Sequence, residues 1–141
     1  MSPHTMAWAM AGAVLAMALH LRLRARPPCR RPPVLASGLG IAASLYGVFA
    51  LLWGDDAALW RELGGVALFG VFAIAGWRRP RWLAVGWLAH VGWDLAMPTA
   101  HAAYVPAFYG PLCLGFDVVI AAAAWRLGAA LNAAAAAPST R

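Results

Sequence analysis

Five long apolar runs, residues 5–21, 34–53, 59–77, 82–97 and 111–127, leave this chain few ways to fold. In a hydrocarbon layer the backbone has no water to bond, so an apolar stretch of about 20 residues crosses it as a helix. A closed barrel needs alternating strands of ~10 residues, and none of these runs alternates. The expectation is an all-α polytopic membrane bundle of about five transmembrane helices, a single domain over residues 1–141, in which 128–141 form a short tail. Composition agrees, with 63% hydrophobic and 11% charged residues where a soluble domain carries about a quarter charged.

Charge gives the orientation. The first run ends in RLRARPPCRRPP, which holds Arg22, Arg24, Arg26, Arg30 and Arg31, and the third ends at Arg78, Arg79 and Arg81. Between the second and third runs stand Asp55 and Asp56 instead. Of the 11 basic side chains, all arginine, only Arg61 falls on the acidic side. The positive-inside rule then places the N-terminus outside and the C-terminus inside. No arginine precedes Thr5, so the first run reads as a retained span and not as a cleaved signal peptide.

The net charge of +6 is accounted for by these loops. No basic face interleaves with exposed aromatics, which excludes nucleic acid as a partner. The exclusive use of arginine, together with abundant Ala, Gly and Pro, suggests a GC-rich bacterial genome and hence a multi-pass protein of the bacterial inner membrane. Trp53, Trp60, Trp77 and Trp82 sit at run ends, where indoles favour the headgroup region. In the second run Gly40 with Ser44, and Ala43 with Gly47, form small faces suited to close helix packing.

Against this apolar background a few ionisable residues stand out. His90 and Asp94 are four apart on the fourth run and project from one helix face, and Cys113 and Asp117 repeat the spacing on the fifth. Glu62 opens the third run, while His101, Tyr104 and Tyr109 lie in the last connection. The topology brings all of them toward the outer side. A carboxylate at mid-bilayer costs ~2.5–3.5 kcal/mol, so Glu62, Asp94 and Asp117 should be paired, protonated or wetted. Pairing Asp94 with His90, and Arg61 with Glu62, is the economical arrangement.

Carboxylates beside an imidazole in a low-dielectric cleft suit proton transfer on a lipid or isoprenoid-like substrate. In that enzyme reading His90 is the acid/base, Asp94 orients it, and Glu62 and Asp117 are the second acid/base or stabilisers. A second reading is a non-enzymatic accessory or scaffold subunit of a membrane complex, its polar cluster fixing helix register. A third is a metal-dependent hydrolase or oxidoreductase that binds zinc or iron through members of the set His90, Asp94, His101, Cys113 and Asp117. The cofactor is therefore zinc, iron or none. The partners are the bilayer, a lipid-soluble substrate, and a second copy or a membrane-complex subunit. Trp87 and Trp93 flank His90 and are read as packing or lipid-facing side chains.

Residues 86–117, GWLAHVGWDLAMPTAHAAYVPAFYGPLCLGFD, resemble a family of small bacterial integral membrane proteins, a domain-of-unknown-function family. Its pattern runs GWxxHxGWD, then a histidine, a proline-containing loop and a Cys followed by Asp. The matching residues are Gly86, Trp87, His90, Gly92, Trp93, Asp94, Cys113 and Asp117. Members often carry a histidine pair directly after the WD, where this chain has Met97 and Pro98. The resemblance implies a membrane bundle and singles out His90 and Asp94, and it implies no reaction.

Overall fold

The computed structural model describes residues 2–137 and is all-helical among them. The main helices are α1 (Pro3–Arg24), α2 (Arg31–Trp53), α3 (Asp56–Arg78) and α4 (Pro80–Ala96), then the single turn α5 (Pro98–His101) and the long α6 (Tyr109–Ala136). Each of the five apolar runs lies largely within one helix. Four of these, α1, α2, α3 and α6, are long and apolar enough to cross a membrane, whereas α4 has only 17 residues. The last helix continues past the expected end of its run at Leu127 to Ala136, so the tail is helical over most of its length, and 138–141 lie outside the described residues.

Local chemistry explains where the helices begin. The Ser2 side chain accepts from the Thr5 amide at 3.2 Å, with Pro3 at the first helical position. Asp55 Oδ1 accepts from the Ala58 amide at 2.7 Å and starts α3. Arg31 reaches back to cap the end of α1, donating to the Arg26 and Arg24 carbonyls at 3.0 and 3.1 Å. Pro80 and Pro98 open α4 and α5, where the missing N–H costs no helical bond.

The bundle is wound around α4 and α6. Helix α6 packs on α1 and on α4, while α3 joins α4 to α2. The shared core contains Leu39, Phe69, Leu83, Trp87, Ile120 and Ala124, each at most 1% exposed. The outside is apolar as well: Met10, Leu51, Val71, Ile74 and Leu95 are all more than half exposed. A water-soluble monomer does not display such a continuous apolar surface, so the exterior fits contact with lipid. Trp53, Trp60, Trp77 and Trp82 are exposed near helix ends, as a headgroup belt requires.

Helices α1 and α6 run parallel. Trp8 meets Phe108 near their starts, with ring centroids 5.3 Å apart, and His20 and Ala123 face a common cavity toward their ends. They cross at Gly12 and Gly115, where a Cβ on Gly12 would collide with the Leu112 carbonyl and one on Gly115 with the Ala9 carbonyl. Of the two small faces on α2, the one at Ala43 and Gly47 packs inward, Gly47 lying beside Val66 of α3. The other does not: Gly40 meets no neighbour, and Ser44 is exposed and bonds the Gly40 carbonyl at 2.7 Å.

Because the obstacle at the α1–α6 crossing is backbone, it cannot yield by a rotamer change. Gly115→Ala and Gly12→Ala should each destabilise the detergent-solubilised protein by about 1–3 kcal/mol or more. Gly64→Ala, on an open face, should be neutral or gain up to ~1 kcal/mol from helix propensity. Thermal unfolding of the three variants side by side checks this contrast.

Candidate functional site

All five carboxylate residues lie at one end of the bundle, where α2 ends, α3 begins, α4 ends and α6 begins. Within that end the polar side chains divide into two adjoining groups, separated by the ring of Tyr46. Tyr46 is 1% exposed, with its ring centroid 5.5 Å from His90 and 4.9 Å from His101.

The first group is centred on Glu62, which is 1% exposed in the second turn of α3. One oxygen, Oε1, accepts from Tyr104 Oη at 2.5 Å and from Arg61 Nε at 3.4 Å, and the other accepts from Trp93 Nε1 at 3.2 Å. Arg61 also donates to Tyr104 Oη at 2.8 Å. His101 Nε2 stands 3.3 Å from Glu62 Oε1 without hydrogen-bond alignment. This carboxylate thus has donors on both oxygens, and they tie α3 to α4 and to the connection before α6. Burial, then the bond to Glu62, pushes the Tyr104 phenol up to about 12, so Tyr104 is the donor in that bond at neutral pH.

The second group is centred on His90, with no exposed surface, on the inner face of α4. Its Nδ1 bonds Asp117 Oδ2 of α6 at 2.7 Å, and Asp117 is likewise completely buried. This corrects the pairing expected from sequence: His90 is joined to Asp117 across helices and not to Asp94 one turn away. The i,i+4 spacing puts His90 and Asp94 on one side of α4, but the imidazole turns its Nδ1 edge to α6. Both oxygens of Asp94 are buried with no hydrogen-bond partner, as are His90 Nε2, Asp117 Oδ1 and Tyr46 Oη.

His90, Asp94 and Cys113 each offer a donor atom such that all three lie within 4.8 Å of one another. Asp117 holds the same imidazole through Nδ1. A carboxylate bonded to the far nitrogen of a ligating histidine is the usual support of a metal-binding imidazole. His101 belongs with Glu62 and not with this set. Glu62 and His90 nevertheless share the wall of a narrow gap with Tyr46, Phe69 and Trp93, too small to hold water.

Of the His90 group, Asp94 borders a cavity. A largely apolar cavity of about 480 Å³ opens beside it between the first turn of α1, α5 and the start of α6, with Asp94, His101, Pro98, Val105 and Leu114 in its wall. His90 and Cys113 lie behind Asp94 in the protein interior. Cys113 is a free thiol, as is Cys29 at the opposite end.

Sequence reasoning missed Tyr46 altogether. Its signal was available: it bears the only phenol in an α2 built, between Arg31 and Trp53, otherwise of aliphatic, small and phenyl side chains. Trp93, expected to pack or to face lipid, packs on the core and also donates its indole N–H to Glu62, and Trp87 is in the core. Compared with known proteins, the chain matches no family model, no curated protein and no solved structure.

Removing a donor to a buried carboxylate costs about 1.5–3 kcal/mol. Tyr104→Phe should therefore lower unfolding stability by that amount at neutral pH. The folded phenol value lies above the ordinary 10.0, so the contribution is complete below pH 10 and lost as pH climbs toward 12. The stability difference between wild type and Tyr104→Phe should close over that window.

Proposed function

We propose that this protein is a membrane-embedded enzyme of the bacterial inner membrane that performs proton transfer on a lipid or isoprenoid-like substrate. The proposal includes five membrane crossings with the N-terminus outside, and kinship with the small membrane family that residues 86–117 resemble. The observation that carries the reading is the His90–Asp117 bond, which leaves Nε2 unbonded on an imidazole grouped with Asp94, the carboxyl at the wall of an apolar cavity. An ionised Asp117 only accepts, so Nδ1 carries a proton, and the neutral imidazole then presents a lone pair at Nε2. His90 then takes a proton from substrate through Nε2, and Asp117 stabilises the imidazolium that forms. Asp94, the carboxyl at the cavity wall, is the second acid/base. Glu62, occupied by its own donors, positions Trp93 and Tyr104 and supplies negative charge behind the site.

A metal-dependent reading is favoured by one further observation. His90, Asp94 and Cys113 each bring a donor atom to one place, and His90 Nε2 and both Asp94 oxygens are buried without partners, a condition that calls for an explanation in a folded protein. Three N, O and S ligands with a fourth position open would suit zinc, or iron, as a Lewis acid or activator of water. On this reading Asp117 orients the ligating imidazole, and His90 is no longer free to transfer protons.

Proton transfer at carbon leaves a label. Purified protein incubated in heavy water with a bacterial lipid extract should incorporate deuterium into a component of that extract. His90→Ala should reduce the rate by about 10²-fold or more. Absence of incorporation with folded wild type, or an undiminished rate in His90→Ala, contradicts the reading. About one zinc or iron per chain in protein prepared without chelator, lost in Cys113→Ser, selects the metal-dependent alternative.

A further inference from the structure

The opposite end of the bundle carries a second cavity, of about 320 Å³, between α1, α2 and α6. Its inner wall is apolar, formed by Leu23, Leu35, Ile120 and Leu127, all buried. Its rim holds His20, Arg24, Arg31 and Arg126. The guanidinium groups of Arg24 and Arg126 beside one apolar hollow call for negative charge, and this end offers none among the described residues. All five carboxylate residues are at the other end, some nine helical residues or ~13 Å away even for Asp117 and Arg126 on the same helix.

Three arginines have partners within the chain. Arg61 bonds Tyr104 and Glu62, Arg81 lies over the Trp125 ring at 5.2 Å, and Arg31 caps the α1 carbonyls. Arg24 and Arg126, like Arg22, Arg26, Arg30, Arg78 and Arg79, have no ion pair among the described residues, and they alone of these seven line this cavity. They approach the cavity from different helices, which converts a topology signal into a concave cationic site.

We propose that this cavity binds the phosphodiester headgroup of an anionic phospholipid, with Arg24 and Arg126 on the phosphate and the acyl chain leaving along Leu23 and Leu127. Guanidinium groups suit phosphate oxygens by geometry as well as charge. Basic pockets between transmembrane helices on the positive side are a recognised mode of acidic-lipid capture. Free phosphate shares the charge but has no use for the apolar wall. The site is separate from the His90 centre and does not depend on what that centre does.

Thermal unfolding of the full chain in neutral detergent tests this, with added phosphatidylglycerol, phosphatidylcholine or inorganic phosphate at equal concentration. Phosphatidylglycerol should raise Tm by on the order of 5 °C, and the other two should not. The increment should vanish in Arg24→Gln/Arg126→Gln and survive in Arg22→Gln/Arg26→Gln, which removes equal charge outside the cavity. Ala123→Trp, which fills the hollow and keeps every arginine, should also abolish it. An equal rise with phosphatidylcholine or with inorganic phosphate overturns the proposal. So does an increment that persists in Arg24→Gln/Arg126→Gln and Ala123→Trp, or one lost equally in Arg22→Gln/Arg26→Gln.

Discussion

The hydrogen bond between His90 Nδ1 and Asp117 Oδ2 is the interaction on which the interior depends. It joins α4 to α6 through two side chains that have no contact with solvent or lipid. In a bundle surrounded by hydrocarbon there is no outside partner for a carboxylate, so each one must be served from within or left bare at a cost of kilocalories. Glu62 is served by Tyr104, Arg61 and Trp93. Asp117 is served on one oxygen by His90, and Asp94 has the Tyr46 hydroxyl near it but no aligned hydrogen bond. The least satisfied carboxylate, Asp94, is also the one in the wall of a cavity.

The arrangement of helices makes that bond possible. α6 approaches α1 closely enough at Gly12 and Gly115 that no side chain fits between their backbones. A comparable restriction acts on α4 at Gly86, where a Cβ would stand 2.7 Å from both Leu39 and Phe72. Glycines at these crossings allow a short α4 to sit deep between α2, α3 and α6. His90, one turn beyond Gly86, is thereby carried to the centre, with Phe69 edge-on at 4.9 Å and Tyr46 at 5.5 Å.

Much of this was legible in the sequence because a bilayer imposes few solutions. Run length and arginine placement located the helices, and the i,i+4 pairs on the fourth and fifth runs marked the faces that turn inward. The partner of His90 was not legible. Helical spacing says which residues share a face, but not how an imidazole rotates about its χ angles or which neighbouring helix it meets. Tyr46 was hidden for a related reason, since an isolated tyrosine in an apolar run carries no periodic signal. Gly40 and Ser44 show the converse: a small face looked ready for packing, yet lipid-facing and helix-facing small residues are alike in a chain that is apolar on all sides.

The two ends of the bundle have opposite characters, with every carboxylate at one and all arginines but Arg61 among the described residues at or near the other. Such polarity orients a membrane protein, and here it also leaves a cavity at each end with its own chemistry. The central claim concerns the acidic end, that Asp117 fixes the His90 imidazole with Nε2 unprotonated and available. Nitrogen-15 NMR of histidine-labelled protein in detergent micelles tests it most directly. The account predicts one buried histidine with a protonated, hydrogen-bonded Nδ1 and a bare Nε2, whose Nδ1 signal moves in Asp117→Asn and hardly at all in Glu62→Gln. A protonated Nε2 on that histidine, or an Nδ1 signal indifferent to Asp117→Asn, would contradict it.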